Sequence, residues 1–122
     1  MIVLGIALAG ALGAPARYLV ESFVRRVRPT TFPLGTFLVN VSGSLALGVI
    51  VGLGACGTLD ADTRTIVGTG FLGAFTTFST YAYETVRLAE GGSRSSAVLT
   101  AVGSVLVGGA AAASGLALTG AL

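Results

Sequence analysis

The side chains best suited to chemistry in this sequence are an asparagine and a group of hydroxyl residues, all within long apolar stretches. Thr36, Asn40 and Ser44 recur at four-residue intervals, so a helix would carry the three on one face. An asparagine amide has two donors and an acceptor that the backbone of its own helix cannot satisfy. Asn40 therefore needs another helix, water or a permeating solute, and the spacing leaves open whether its role is structural or functional.

A second polar group lies between Gly68 and Tyr81, where three glycines and five hydroxyl residues interrupt an apolar stretch. Helix propensity is poor here, and glycine lets the backbone leave helical geometry, most readily near residues 73–77. At membrane depth, irregular backbone is tolerated only where protein or a cavity surrounds it. Broken helices in transporters offer carbonyls to cations and N–H groups to anions. The segment predicts an ion site built from backbone; the alternative is an unbroken helix whose hydroxyls bond its own carbonyls.

Aromatic rings recur every three residues at Phe75, Phe78 and Tyr81, roughly on one side of a helix. Such a stripe usually faces lipid or packs against another helix. A ring also carries positive potential at its edge. Ring edges beside an asparagine amide and hydroxyls can receive a small, strongly hydrated anion without a full positive charge.

Two pairs of opposite charges lie at helical spacing. Arg17 and Glu21 are four residues apart inside the first apolar stretch. They either form a pair that lowers the cost of inserting both charges in a membrane, or leave Arg17 to place positive potential at the mouth of an anion path. Glu84 and Arg87 lie near the end of the third stretch, where an interfacial pair is expected.

Four apolar stretches must position these residues, at about residues 2–24, 33–56, 65–89 and 96–120. The 122 residues are 53% hydrophobic and 10% charged, whereas soluble domains carry about 25% charged residues. A helix of about 20 apolar residues crosses the ~30 Å hydrocarbon core of a membrane. We therefore predict an all-α membrane protein of four transmembrane helices, the third broken in mid-membrane, forming a single domain over residues 1–122.

Small residues at four-residue spacing predict how these helices associate. In lipid, close backbone approach replaces the hydrophobic drive for association. Three stretches carry such seams: Gly5, Ala9 and Gly13; Ser44, Gly48 and Gly52; and Ser104, Gly108 and Ala112.

Composition also excludes several functions. The net charge of +2 does not indicate nucleic acid as a partner, and the chain has no histidine, a single cysteine and no carboxylate pair within its apolar core, so an enzyme is not expected. Two alternatives stay open. A small multidrug-type cation exporter needs a carboxylate in the core of its first helix, where Glu21 is the only candidate, beside Arg17. A non-conducting membrane assembly protein accounts for the glycines but not for Asn40 and the hydroxyl-rich segment.

Three stretches of the sequence resemble the small bacterial fluoride channels of the Fluc or CrcB family. They are GAPARY at 13–18, GTFLVNVSG at 35–43 and GFLGAFTTFSTY at 70–81, followed by Glu84. Together with the four-helix length, the resemblance covers essentially the whole chain. It implies passive fluoride export by an antiparallel dimer, with two fluoride pathways along the subunit interface.

The resemblance also implies roles for particular residues. A structural sodium ion at the dimer centre would be held by the backbone carbonyls of Gly73 and Thr76. Arg17 would lie near a vestibule. The fluoride path would use Asn40, the ring edges of Phe78 and Tyr81, and the hydroxyls of Ser79, Thr80 and Ser104. The family pattern normally has Phe where this chain has Tyr81, whose hydroxyl would either donate to fluoride or obstruct the path.

The arginines predict an orientation. Most lie beside the first and third loops, at Arg25, Arg26, Arg28, Arg87 and Arg94, and only Arg64 lies at the opposite side. The positive-inside rule places the first group in the cytoplasm. We therefore expect a multi-pass protein of the cell inner (plasma) membrane, surrounded by lipid. This bias and Tyr81 motivate the alternative that the partner is a homologous second subunit instead of a second copy.

Overall fold

The computed structural model describes residues 1–122, which are helical without any β-strand. The predicted all-α class is confirmed. The helices are α1 (Ile2–Val27), α2 (Leu34–Ala55), α3 (residues 61–75), α4 (Phe78–Glu90) and α5 (Arg94–Leu118). Within α3 the turns Ile66–Leu72 are π-helical, as are the turns Leu99–Gly103 of α5.

Three of these helices, α1, α2 and α5, are long and apolar enough to cross a membrane, with mean hydropathies of 1.6, 1.9 and 1.8. Only 13 of the 122 residues are buried, and large apolar side chains such as Leu8, Leu12 and Phe23 lie on the surface. An exterior of this kind suits lipid, where no hydrophobic effect penalises exposed leucine. The third predicted stretch, 65–89, is divided between α3 and α4, and its crossing of the membrane as a broken helix stays a prediction.

Glycines bring the helices into backbone contact. In the contact between α1 and α3, a methyl group added to Gly13 would overlap the carbonyl oxygen of Phe71. In the contact between α2 and α5, one added to Gly48 would overlap the carbonyl oxygen of Ala112. The small-residue seams predicted for the first, second and fourth stretches therefore lie at helix contacts.

Loop residues fix the helix ends. Gly57, Gly92 and Gly120 have φ values of 71°, 85° and 73°, and they follow α2, α4 and α5. Only glycine adopts this left-handed conformation without steric cost, which stops each helix there. Asp60 precedes α3 and accepts a hydrogen bond from the backbone N–H of Thr63 at 2.9 Å. Hydrogen bonds from Thr63 hold the pKa of the Asp60 carboxyl below its usual value.

Candidate ion site at the break between α3 and α4

Two extended residues, Thr76 and Thr77, separate α3 from α4; we call this pair the break. Their φ and ψ angles are −76° and 158° at Thr76 and −145° and 124° at Thr77. The break lies within residues 73–77, where the glycine and hydroxyl pattern predicts departure from helical geometry. The backbone groups around it must find partners other than their usual helical ones.

The hydrogen bonds around the break show two N–H groups diverted from their helical acceptors. In a continuous helix the N–H of Thr77 would bond the carbonyl of Gly73, but it donates to Oδ1 of Asn40 at 2.8 Å. The N–H of Thr80 would likewise bond the carbonyl of Thr76, but it donates to Oγ1 of Thr77 at 3.2 Å. The carbonyls of Gly73 and Thr76, which the family resemblance assigns to a cation, are therefore among those that the break frees.

Asn40 holds the break to α2 with both ends of its amide. Its Nδ2 donates to the carbonyl of Thr77 at 2.9 Å, while its Oδ1 accepts from the N–H of the same residue. These two hydrogen bonds give the Asn40 amide the partner outside its own helix that it requires. An amide nitrogen has two hydrogens, so one donor is left for another acceptor.

Arg17, on α1, also contacts the break. Its Nη1 donates to the carbonyl of Thr76 at 3.4 Å, and it makes no hydrogen bond with Glu21. Of the two roles left open for Arg17, the pair with Glu21 is not formed as a hydrogen bond, because the freed carbonyl of Thr76 offers Arg17 another acceptor. The pair Glu84 and Arg87 is not hydrogen-bonded either: Oε2 of Glu84, like Oε1 of Glu21, is buried without a hydrogen-bond partner.

A cavity of about 350 Å³ lies beside the break, and we call it the break cavity. No charged side chain lines it. It brings together six of the residues predicted for ion binding: Asn40, Gly73, Thr76, Phe78, Tyr81 and Ser104.

The other predicted site residues lie outside the break cavity. Ser79 is exposed, with its Oγ 3.4 Å from Oγ1 of Thr77. Thr80 lines a second cavity of about 670 Å³, the arginine cavity, whose wall includes Arg25, Arg28 and Arg87. Arg17 lines neither cavity.

Sequence reasoning missed Thr77, which is buried at the centre of the site. Its side chain caps the first turn of α4 by accepting from the N–H of Thr80. A threonine preceding a helix is a familiar N-cap, and that signal could have identified it. It was obscured because Thr77 stands within a run of hydroxyl residues, any of which could begin a helix.

The aromatic residues divide at the break. The rings of Phe78 and Tyr81 are 5.7 Å apart and tilted by 47°. Phe75 instead stacks on Phe71 at 5.9 Å, so the predicted stripe of three rings is wrong: the extended residues interrupt the helical period. The Tyr81 hydroxyl donates to the carbonyl of Ala101 at 2.7 Å.

Residues 4–116 match the family described as CrcB-like protein, Camphor Resistance (CrcB). The chain belongs to the CrcB family. Its membership confirms the resemblance seen in the three stretches, and CrcB proteins are channels, which confirms that this chain is not an enzyme. The match covers the break and every helix that contacts it.

Relatives of known name support the same grouping. A protein of Leifsonia xyli subsp. xyli, named Fluoride-specific ion channel FluC 1, is 45% identical over 120 residues, covering 98% of this chain and 88% of the relative. One of Nitratidesulfovibrio vulgaris, named Fluoride-specific ion channel FluC, is 47% identical over 106 residues, covering 84% of each. With three helices able to span a bilayer, CrcB membership indicates a membrane protein.

Proposed function

We propose that this chain is a fluoride-selective channel that exports fluoride passively across the cell inner membrane. The observation that carries the proposal is the break cavity, where the Asn40 amide, the rings of Phe78 and Tyr81 and the Ser104 hydroxyl meet in a chain of the CrcB family. Those groups supply donors and ring edges without a fixed charge.

An uncharged cavity suits conduction of a small anion. A permeant ion must bind well enough to leave water, but weakly enough to move on. A buried arginine in the wall would hold fluoride too tightly, because a charge pair strengthens as the dielectric constant falls. The free hydrogen of the Asn40 amide, the Ser104 hydroxyl and the aromatic ring edges can replace part of the hydration shell at lower affinity. The cation-exporter alternative would need a carboxylate in this wall, and none is present.

We further propose that two chains form the working unit as an antiparallel dimer with two pathways. The Phe78 side chain is 80% exposed beside the break cavity, and Gly73 is exposed as well. A single chain therefore leaves the wall open, and a second copy would close it. A homologous second subunit is the alternative partner.

A sodium ion fits the freed carbonyls at this proposed dimer centre. Gly73 and Thr76 offer uncharged oxygen ligands, the kind that hard cations prefer, and both have lost their helical donors. Thr76 also accepts from Arg17, but a carbonyl oxygen has two lone pairs. Bound there by both subunits, sodium would neutralise the dipoles of the carbonyls and tie the two breaks together.

The proposed path leads from the break cavity toward the arginine cavity. Arg25, Arg28 and Arg87 line the arginine cavity at the side that the positive-inside rule places in the cytoplasm. A positive wall raises the local concentration of anions. We propose that this cavity, together with Arg17, serves as the vestibule.

The deciding experiment is fluoride efflux from liposomes containing the purified protein, followed with a fluoride electrode. We expect fast release of fluoride while chloride is retained in matched liposomes. If folded protein leaves the fluoride gradient standing, the proposed function is wrong. Replacing sodium with N-methyl-D-glucamine during purification and reconstitution should abolish the flux, and equal flux without sodium would remove the proposed ion.

A further inference from the structure

The hydroxyl of Tyr81 makes the one side-chain hydrogen bond between α4 and α5. Its oxygen is 2.7 Å from the carbonyl oxygen of Ala101, the usual distance for a well-formed O–H···O bond. By contrast, the bond from Arg17 to Thr76 is 3.4 Å long. The phenol is thus firmly attached to the neighbouring helix.

The acceptor lies in an unusual turn. Ala101 is in the π-helical stretch Leu99–Gly103, immediately before Ser104 in the wall of the break cavity. π-Helical turns are rare in proteins overall, but those that occur are often found at functional sites. A carbonyl oxygen has two lone pairs, so Ala101 can accept from the tyrosine in addition to a backbone N–H. The hydrogen bond from Tyr81 therefore joins α4 to α5 close to Ser104, which is predicted to line the fluoride path.

The bond also fixes the tyrosine ring. Tyr81 is half-buried and lines the break cavity, whereas its neighbour Phe78 is 80% exposed and has no such anchor. The ring is attached at Cβ to α4 and at the hydroxyl to α5. Rotating it away from the cavity wall would break the hydrogen bond and leave the Tyr81 hydroxyl without its acceptor.

We propose that Tyr81 is a positioning residue whose hydroxyl latches α4 to the π-helical turn of α5 and holds the ring on the wall of the break cavity. The hydroxyl hydrogen is committed to Ala101 and does not bind the anion. The latch itself stands on the geometry alone, while its effect on flux rests on the proposed function. A phenylalanine at this position would keep the ring without the latch.

The variant Tyr81→Phe tests the latch directly because it removes one oxygen atom. Amide hydrogen exchange should become about two- to tenfold faster across residues 99–106, as expected from losing one hydrogen bond. Tyr83→Phe is the matched control, because Tyr83 lies on the same helix, is 64% exposed and makes no hydrogen bond through its hydroxyl. Unchanged exchange in Tyr81→Phe would overturn the proposal, whether or not the protein conducts fluoride.

Liposome efflux then separates the latch from the other possible roles of the hydroxyl. With faster exchange, we expect fluoride efflux to fall by about two- to tenfold, in step with the loosened turn. Altered flux with unchanged exchange would mean that the hydroxyl donates to fluoride, if flux falls, or obstructs the path, if flux rises. Faster exchange with wild-type flux would overturn the positioning role.

If Tyr81→Phe does not fold, the wild-type protein still provides a test. Exchange across residues 99–106 is compared in fluoride and in chloride at equal ionic strength. A committed hydroxyl predicts protection in fluoride that is equal to or higher than in chloride, because an anion bound at Ser104 stabilises the folded state. Faster exchange in fluoride alone would show that the hydroxyl leaves Ala101 for the anion, which overturns the proposal.

Discussion

A backbone break inside an apolar protein survives only if its polar groups are satisfied, and here one side chain satisfies two of them. A buried amide without a partner costs several kcal/mol in lipid. Asn40 accepts from the N–H of Thr77 and donates to its carbonyl. Serine and threonine have one hydroxyl and aspartate lacks a donor, so among short side chains asparagine is uniquely matched to both groups of the peptide.

Replacing Asn40 with aspartate tests whether this residue lies in the anion path. Asn40→Asp keeps an acceptor for the N–H of Thr77, but it loses the donor and adds a negative charge beside the break cavity. Because that charge repels an anion at low dielectric, we expect fluoride efflux to fall by more than about tenfold. Ser42→Ala is the control, since Ser42 is exposed and its hydroxyl bonds a carbonyl of its own helix. Wild-type efflux in Asn40→Asp would remove Asn40 from the path.

At the residue scale, the sequence predicted which polar residues line the break cavity better than it predicted the groups to which they hydrogen-bond. Asn40 stood out because its amide needs a partner beyond its own helix. That the partner would be the peptide of Thr77 depended on where the break falls, which the hydroxyl run left uncertain. The choice between the two roles of Arg17 stayed open for the same reason, because i, i+4 spacing carries no information about a carbonyl that is freed on another helix.

At the scale of helices, packing depends on where small residues face backbone. On α5, a methyl group on Gly115 would overlap the carbonyl oxygen of Leu45, whereas Gly109 faces open space. The two positions share one helix and one residue type. They differ only in whether α2 lies against them.

Alanine substitutions at these two glycines should therefore have opposite effects. Gly115→Ala should lower the free energy of unfolding by about 1–3 kcal/mol, because overpacking forces the helices apart. Gly109→Ala should be neutral or stabilising, by up to about 1 kcal/mol, from helix propensity alone. Denaturant unfolding in detergent, followed by circular dichroism, measures both. Equal effects would mean that the contact between α2 and α5 is looser than the structure shows.

The cap of α3 predicts a pH dependence. Hydrogen bonds from Thr63 lower the pKa of Asp60 in the folded protein. Its contribution to stability is therefore fully present above the unfolded pKa and is lost as the pH falls through the lower, folded value. Asp60→Asn keeps a capping oxygen that does not titrate. Thermal unfolding from neutral to acidic pH should show a smaller loss of stability in this variant, and identical profiles would contradict the assignment.

The apolar stretches predicted where the helices lie, but they predicted the helix ends less accurately. The first predicted helix, 2–24, continues to Val27, and the predicted start at 65 becomes 61. Both differences arise where polar residues continue a helix. Arg25 and Arg26 suit the last turn of α1, where positive charge interacts favourably with the helix dipole. Asp60 supplies a cap five residues before the predicted start at 65.

The whole molecule buries little of its own surface. With 13 of 122 residues buried and an uncovered cavity wall at Phe78, much of its surface must be covered by lipid or by another chain. Composition predicted the membrane environment, and the dimer implied by the family resemblance stays a prediction. It could not decide the partner's identity, because a second copy and a homologous subunit present the same class of apolar surface.

The oligomeric state of the chain expressed alone decides between these partners. The sequence has no lysine, so amine-reactive crosslinkers are unsuitable, and native mass spectrometry from detergent is the appropriate measurement. We expect a particle of twice the chain mass that conducts fluoride after reconstitution, because a second copy would close the open wall beside Gly73 and Phe78. The matched control is Phe78→Ala, which should weaken that association by removing an exposed aromatic ring. A monomer that conducts only after a homologous subunit is added would show that the working unit is a heterodimer.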